Sequence, residues 1–440
     1  MKIFASLIIG SATVGTLLAD SHSPMTNVVQ VTPTFINALA DEALTNNPAL
    51  KSAAARIEAA RASEQTVRTW EDPTVRIGIN PAERSLRADD GDLVYGVEQK
   101  LPLFGKPKAA RDVAEAETKV AQANADFQFQ QLRKDIAQNV FKTAFASRTV
   151  EIAQQDLAWL DTMLAVAGQR YELGTATQFD VLRLQNERSK RAEQLKTDAQ
   201  MLEHERVNLN RLLNRKINSP WPILELPPIA PQIFYNDQLV IIALKNEPKL
   251  KMMRHQVEQA SATIDRTRRE RRPDFAVGAE VRNYSGNGEF RQGLVTLSFN
   301  VPWGNRKKYD AAITRDTANQ TATELDAADY ELAVRNDIHD LTVKIDAARR
   351  ETLLYRDQIL PRSEIALESA RAGWEENAGM FRDVLDARRM LLDAQLMSAR
   401  SIAEQYQFMS ELVLCCGLGD LEALQMIGSQ SGAENSETKK

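Results

Sequence analysis

The chain has 440 residues, of which 43% are apolar and 26% charged, and 55 Lys and Arg against 60 Asp and Glu give a net charge of −5. This balance excludes a strongly basic nucleic-acid-binding protein, and the charged fraction is too high for a bundle of membrane helices. Two adjacent cysteines, Cys415 and Cys416, are too few for a disulfide scaffold or a cysteine-rich zinc site.

The N-terminus has the pattern of a secretory signal. Lys2 precedes an apolar run, residues 3–19, after which the chain becomes polar. We therefore expect residues 1–19 to be a signal peptide that is cleaved after Ala19. A short anchor helix is the alternative interpretation. No later stretch of about 18 uncharged apolar residues follows, so any membrane segment would have to consist of strands.

The rest of the chain contains one unit twice. EALTNNPALK at 42–51 resembles IALKNEPKLK at 242–251, and YELGTATQFDVL at 171–182 resembles WEENAGMFRDVL at 374–385. Between these matches the second copy gains about three residues, close to one helical turn. The predicted segments are a first repeat at 35–215, a proline-rich extended connector at 216–235, a second repeat at 236–417 and a disordered tail at 427–440.

Each copy is predicted to begin with a helix and to continue with two strands. The helices start near Pro48 and Pro248, because proline suits a first helical turn. In the segments that follow, apolar and polar side chains alternate, and this period predicts strands. The four predicted strands are residues 74–80, 93–101, 274–282 and 294–301.

After the second strand of each copy, a glycine turn leads into a helix far longer than those of globular domains. Apolar residues seven apart, such as Val113, Val120 and Phe127, indicate coiled-coil packing. Pro361 should bend or interrupt the second long helix. The predicted outward and return helices are 108–167 and 178–214 in the first copy, and 307–360 and 381–416 in the second.

The alternating strands fit either a half-buried sheet packed on helices or a transmembrane barrel with one face toward lipid and one toward a wet lumen. Charged residues such as Arg76 and Glu98, and Trp70 and Trp303 just outside strand ends, favour the barrel. Four strands cannot close a barrel, so several copies of the chain would have to contribute. The candidate lipid-facing residues are Val75, Ile77, Ile79, Phe275, Val277, Val295, Leu297 and Phe299.

The duplicated unit, the proline connector, and the turns LGTAT (173–177) and ENAGM (376–380), with Asp-Val-Leu after each, resemble the TolC family of outer-membrane efflux proteins. The resemblance covers residues 35–417. It implies a mainly α fold with a small antiparallel β part. In this fold, duplicated long helical hairpins form a trimeric α-barrel, and four strands per chain form a 12-stranded transmembrane β-barrel.

The resemblance also implies a function and partners. The homotrimer would be a passive exit duct in the Gram-negative outer membrane, spanning into the periplasm and surrounded by outer-membrane lipid. It would work with a periplasmic adaptor (membrane fusion) protein and an inner-membrane pump of RND or related type. FGKPKAARDVAEAE (104–117) is similar to the heavy-metal efflux branch, which implies heavy-metal cations as cargo.

Two sets of site residues follow from the resemblance. Asp383 and Asp386 match an aspartate pair that rings the periplasmic entrance of the tunnel; three chains would place six carboxylates there and favour cations. In the first copy, Asp180 and Arg183 occupy these positions. The hairpin-tip residues implied to contact the adaptor are Leu173, Gly174, Thr175, Asp180, Asn377, Ala378 and Gly379.

Simpler interpretations of these residues remain open. Asp383 and Asp386 fit a solvated helix face, while Gly174 and Gly379 fit glycines that only permit the turn. Asp180 and Asp383 fit residues that cap the next helix.

The sequence contains no motif typical of an enzyme. It lacks a glycine-rich phosphate loop, H-E-x-x-H and G-x-S-x-G, so we expect no catalytic site and no cofactor. Its four histidines, His22, His204, His255 and His339, lack the spacing of metal ligands, and we expect no metal site. The alternative function, from a different class, is a soluble periplasmic coiled-coil scaffold without a pore.

Overall fold

A computed structural model of the chain describes residues 28–67, 70–80, 92–286, 288–376 and 378–424. The predicted signal peptide and tail, and the candidate tip residue Asn377, lie outside the described residues.

Each half of the chain has the same order of elements, except that the long helix of the second half is divided into two parts. The first half contains β1 (Val28–Gln30), α1 (Pro33–Asn46), α2 (Pro48–Thr66), β2 (Thr74–Asn80), β3 (Asp92–Leu101), α3 (Lys106–Glu172) and α4 (Gln178–Leu212). The second contains β4 (Ile223–Glu225), α5 (Asp237–Asn246), α6 (Pro248–Glu270), β5 (Phe275–Tyr284), β6 (Phe290–Phe299), α7 (Arg306–Leu354), α8 (Leu360–Glu375) and α9 (Phe381–Cys415). A mainly α fold with a small antiparallel sheet is therefore confirmed.

Proline and a polar cap begin the corresponding helices α2 and α6. Pro48 and Pro248 occupy the first helical turn, where a missing N–H costs no hydrogen bond. Asn47 Oδ1 accepts from the N–H of Ala49 at 2.8 Å, and the Glu247 carboxylate accepts from the N–H of Leu250. The predicted helix starts are confirmed, whereas α1 and α5 were not predicted.

The two long helices differ at one place. The 67 residues of α3 are continuous and about 100 Å long at 1.5 Å per residue. Between α7 and α8 lies a π-helical turn, Tyr355–Ile359, where the Leu360 N–H donates to the Tyr355 carbonyl. Pro361 has no N–H and would clash with the carbonyl four residues earlier, so the backbone widens before it. The predicted interruption is thus a π-turn within a continuing helix.

Both halves contribute two strands to one antiparallel sheet, in the order β2–β3–β5–β6. The register aligns Val75, Val97, Ala279 and Val295 in a row across all four strands, and the neighbouring rows on this face are also mostly apolar. This face is largely exposed. The outer edges of β2 and β6 pair with no other strand in the described chain.

The opposite face of the sheet is charged. Arg76 pairs with Glu98 at 3.3 Å, and Arg282 pairs with Glu280 at 2.8 Å. The side chains alternate as the sequence pattern predicts, with one apolar and one polar face.

The main core lies where the two halves meet. Side chains of α1, α3, α5, α7 and α9 pack around Phe141, Ile338 and Leu412. The proline-rich connector contains no helix between residues 217 and 235 and forms β4, which pairs in parallel with β1. Its Trp221 is buried and donates to Asn210 Oδ1 at 2.8 Å. None of the described helices has both the length and the apolar character needed to cross a bilayer.

Candidate functional site

The first hairpin tip connects α3 to α4. Leu173 is 78% exposed, and Gly174 has φ +74°, the left-handed conformation that glycine adopts without strain. The N–H and hydroxyl of Thr175 both donate to the Arg170 carbonyl, at 2.8 and 3.0 Å. These bonds satisfy a carbonyl in the last turn of α3, so the tip is a closed turn that presents Leu173 outward.

The second tip connects α8 to α9, and here the backbone of the turn lies close to the last turns of α8. The N–H groups of Ala378 and Gly379 donate to the Gly373 carbonyl at 2.8 and 2.9 Å. A side chain at Gly379 would place its Cβ 3.2 Å from the Gly373 carbonyl carbon. This tight contact favours glycine at position 379, whereas the positive φ angle favours glycine at position 174.

Arg170 joins the two tips. Its Nη1 donates to the Glu375 carbonyl at 2.8 Å, at the C-terminus of α8. Its guanidinium lies 4.6 Å from the centre of the Trp374 ring. Trp374 and Phe381 belong to a buried cluster with side chains of α3 and α4. The structure therefore brings the two sets of predicted tip residues onto one packed unit.

Asp180 has a structural role at the first tip. Thr177 Oγ1 accepts from the Asp180 N–H at 3.2 Å, while the Asp180 carboxylate accepts from the Thr177 N–H at 3.3 Å and from its hydroxyl at 2.7 Å. This reciprocal capping box begins α4. The capping interpretation of Asp180 is therefore confirmed.

Asp383 and Asp386 lie in the first turns of α9, on the side away from the buried Val384 and Leu385. Asp383 is exposed and has no ion pair with any residue the structure describes. Asp386 pairs with Arg382 at 3.4 Å, and a second arginine, Arg389, approaches it at 3.6 Å. The two carboxylates share a face but differ in charge environment, which their spacing alone does not reveal.

A buried ionic cluster above the tips was not predicted. Asp156 of α3 is 2% exposed and contacts Arg191 of α4 at 2.7 Å and Arg388 of α9 at 2.8 Å. The guanidinium of Arg388 also lies 4.9 Å from the Trp159 ring centre. The three charged members of this cluster are far apart in sequence, so local patterns give no signal for it.

The candidate lipid-facing residues share the apolar face of the sheet. Seven of them are exposed, and Phe275 is half-buried because its ring packs 5.5 Å from that of Phe299. Exposed aliphatic side chains on a whole sheet face are unusual in a protein surrounded by water.

The described residues offer neither a reactive thiol nor a cluster of metal ligands. Cys415 and Cys416 are unpaired thiols, and burial raises the pKa of Cys416 to about 12. Cys415 has a raised pKa for the same reason, so both thiols are protonated at neutral pH. Within the described residues, no cluster of three or more His, Cys, Asp or Glu has a metal-binding arrangement.

Comparison with known proteins identifies the family. The model of the outer membrane efflux protein family matches residues 39–215 and 239–414. The cobalt-zinc-cadmium resistance protein CzcC of Cupriavidus metallidurans is 20% identical over 378 residues, covering 85% of this chain and 88% of that protein.

Solved structures share the fold. VceC, an outer membrane protein of Vibrio cholerae, is 18% identical with a TM-score of 0.73, covering 88% of this chain and 97% of its own. CusC, whose structures concern folding and transmembrane channel formation, is 16% identical with a TM-score of 0.76. The match covers 88% of this chain and 93% of the CusC chain. Because the family model matches both halves, this chain belongs to the outer membrane efflux protein family, the TolC type of channel in the Gram-negative outer membrane.

Proposed function

We propose that the chain is the outer-membrane exit duct of a tripartite efflux system, a passive homotrimer that exports heavy-metal cations. The observation that carries the proposal is the four-stranded sheet, with one exposed apolar face, one charged face and two open edges. Membrane strands must satisfy all their backbone hydrogen bonds, so open edges are tolerated only where another strand pairs with them.

Joining β2 of one protomer to β6 of the next closes these edges. Four strands are too few for a barrel, and three copies give twelve, within the range of outer-membrane barrels. The apolar row of Val75, Val97, Ala279 and Val295 then faces lipid, and Arg76 and Glu98 face the lumen.

The helical hairpins extend from this barrel into the periplasm, and their joined tips are the proposed contact for an adaptor protein. Leu173 and Met380 offer exposed apolar side chains there. The pump in the inner membrane supplies the energy, since the sequence of this chain contains no glycine-rich phosphate loop.

The cargo is inferred from two observations. CzcC is named for resistance to cobalt, zinc and cadmium. The exposed Asp383, repeated in three chains, would place carboxylates at the entrance and favour cations over anions.

Membrane fractionation of the expressed protein, followed by native mass measurement of the detergent-extracted species, tests the duct. We expect a trimer in the outer-membrane fraction. A monomer released with the periplasmic contents would contradict the proposal and restore the scaffold alternative.

Growth of a strain lacking the gene tests the cargo. We expect greater sensitivity to cobalt, zinc or cadmium salts, restored by the plasmid-borne gene, and unchanged sensitivity to an uncharged organic toxicant. Sensitivity to the organic compound alone would overturn the metal assignment while leaving the duct in place.

A further inference from the structure

The ends of α6 and α7 nearest the sheet carry a dense group of cations. Residues 268–274 and 306–310 contain seven Arg and Lys and three Asp and Glu, in a chain whose net charge is −5. We define the basic belt as the exposed residues Arg271, Arg272, Arg306, Lys307 and Lys308. The belt follows directly on the apolar face in the chain, because β5 begins at Phe275 and β6 ends at Phe299.

The belt has fewer carboxylate partners than cations. Arg271 and Arg306 share one carboxylate, that of Asp310, at 3.4 and 3.5 Å. Arg272 and Lys307 form no ion pair with a carboxylate in the part of the chain that the structure describes. The other acid beside β5, Asp274, is bound by Lys106 at 2.6 Å. The belt therefore has uncompensated positive charge.

A strained aromatic residue lies between the belt and the apolar face. Phe104 has φ +59°, a left-handed conformation that L residues other than Asn and Asp rarely adopt, and its side chain is 41% exposed. Its ring centre lies 6.0 Å from that of Phe275. Arg272 contacts this ring at 5.8 Å and donates to the Phe104 carbonyl at 3.5 Å. The fold thus holds an aromatic ring at the surface in an unfavourable backbone conformation, directly beneath a cation.

Aromatic rings beside cations at the end of an apolar surface match a membrane–water boundary. Trp303, 64% exposed, precedes the belt residues of α7. Trp and Tyr favour the level of lipid headgroups, and girdles of aromatic residues flank the apolar band of outer-membrane barrels. Arg and Lys extend their charged ends to the phosphate layer. Anionic lipids attract such residues over a distance of about one Debye length.

We propose that the basic belt binds the phosphate groups of anionic glycerophospholipids, of the phosphatidylglycerol class, in the leaflet that faces the periplasm. Phe104 and Trp303 lie at the boundary between their headgroups and acyl chains. This inference rests on the proposed contact of the apolar sheet face with lipid. The belt then fixes the depth of the channel and selects the lipids around it.

Quenching of tryptophan fluorescence by brominated lipids tests the proposal on the full-length trimer in vesicles. The protein is reconstituted with brominated phosphatidylglycerol or brominated phosphatidylcholine, and Trp70 and Trp303 act as reporters near the belt. We expect phosphatidylglycerol to be favoured at least threefold. Since each basic residue near an anionic surface contributes about fivefold, the triple variant Arg272→Glu, Lys307→Glu, Lys308→Glu should lose this preference.

A matched variant controls for net charge. Lys190→Glu, Lys196→Glu, Lys216→Glu makes the same change in charge on and just after α4, at exposed positions, and should keep the preference. If the belt variant fails to fold, 0.5 M NaCl should abolish the preference of the wild-type protein, because salt screens exposed charges.

A belt variant that still prefers phosphatidylglycerol, a control variant that loses the preference equally, or a wild-type preference that resists salt would each overturn the proposal. Conductance and trimer mass separate this failure from that of the duct. A belt variant that conducts as a trimer without lipid preference supports both proposals, whereas a wild-type protein that forms no trimer contradicts the duct itself.

Discussion

At the residue scale, Asp156 shows how one carboxylate connects the two halves of the chain. It is buried on α3 and binds one arginine from α4 and one from α9, so it links the return helices of both hairpins to α3. A buried ion pair is weak evidence for net stabilisation, but removing one partner leaves charge without compensation.

We expect Asp156→Ala to destabilise the folded protein by about 3 kcal/mol or more, because Arg191 and Arg388 would be left unpaired in a poorly hydrated place. Thermal unfolding of the detergent-solubilised protein measures this loss. The exposed pair of Arg356 and Asp357 provides the control, since Asp357→Ala should change the unfolding temperature little. Equal effects of the two substitutions would contradict the structural role of Asp156.

Two buried or half-buried glutamates have opposite effects on the pH dependence of stability. Burial raises the pKa of Glu247, which is 2% exposed and accepts a hydrogen bond from the Tyr330 hydroxyl at 3.1 Å. The hydrogen bond from Arg215 lowers the pKa of Glu42. The stabilising contribution of Glu247 is complete below the pKa of the unfolded chain and is lost as pH rises through its folded pKa. That of Glu42 is present above the unfolded pKa and is lost on acidification.

We therefore expect Glu247→Gln to raise the unfolding temperature at pH 7 and to have a diminishing effect toward pH 4. Glutamine keeps an oxygen that accepts from the Leu250 N–H without the cost of a buried charge. Glu42→Gln should lower the unfolding temperature at pH 7, with a loss that also shrinks toward pH 4. Thermal unfolding scans across this range check both signs, and a pH-independent difference for either variant would refute the assignment.

At the scale of elements, alternate residues of each strand lie on the apolar face and on the charged face of the sheet. Leu297 is 63% exposed on the apolar face, whereas the hydroxyl of its neighbour Ser298 lies 3.4 Å from Glu98 on the charged face. The environment of a side chain thus changes from one residue to the next, and the same substitution should have different effects at adjacent positions.

We expect Leu297→Arg to reduce the amount of trimer in the outer membrane, because an arginine on the lipid face is unfavourable, by about 2–4 kcal/mol at the bilayer centre and by less toward the boundary, near which Leu297 lies. Ser298→Arg is the matched control, since its charge would lie beside Glu98 in the lumen. Membrane fractionation with immunoblotting measures both variants. Comparable loss of both, or of neither, would argue against lipid contact by the apolar face.

Strong local signals made most of the elements predictable. Alternating side chains located the four strands, although β6 runs over Phe290–Phe299 rather than the predicted 294–301, because alternation does not reveal where the chain leaves the sheet. Proline positions located the starts of α2 and α6. The pairing of β1 with β4 had no such signal, since each strand has three residues and they are far apart in sequence. The π-turn depends on strain relief before Pro361, which a helical period does not encode.

At the scale of the whole molecule, the aspartate pair is proposed to act through the three copies of the chain in the trimer. The spacing of Asp383 and Asp386 predicted a shared helix face, and both lie in the first turns of α9. The two arginines that approach Asp386 could not be predicted as its partners, because a charged residue on a helix surface has several neighbours with which it can pair. Likewise, the contact of Arg170 with Glu375, 205 residues away, depends on the packing of the two hairpins.

We expect replacement of both Asp383 and Asp386 by alanine to raise the conductance of the trimer in planar bilayers and to weaken block by cations. Asp383→Ala alone should account for most of the change, because Arg382 already neutralises much of the charge of Asp386. Unchanged conductance of the double variant would exclude these residues from the narrow entrance. A larger effect of Asp386→Ala would show that the pair with Arg382 opens in the trimer.

The open edges of the sheet have a consequence for the life of the protein before it reaches the membrane. Before assembly, the sheet formed by the described residues has two unpaired strand edges, of seven and ten residues, beside an exposed aliphatic surface. Such edges are templates for mispairing between chains. Assembly of the proposed trimer would therefore compete with aggregation during transit, and the yield of channels should depend on how rapidly three protomers meet relative to their rate of synthesis. A periplasmic holding chaperone would shift this competition toward the trimer.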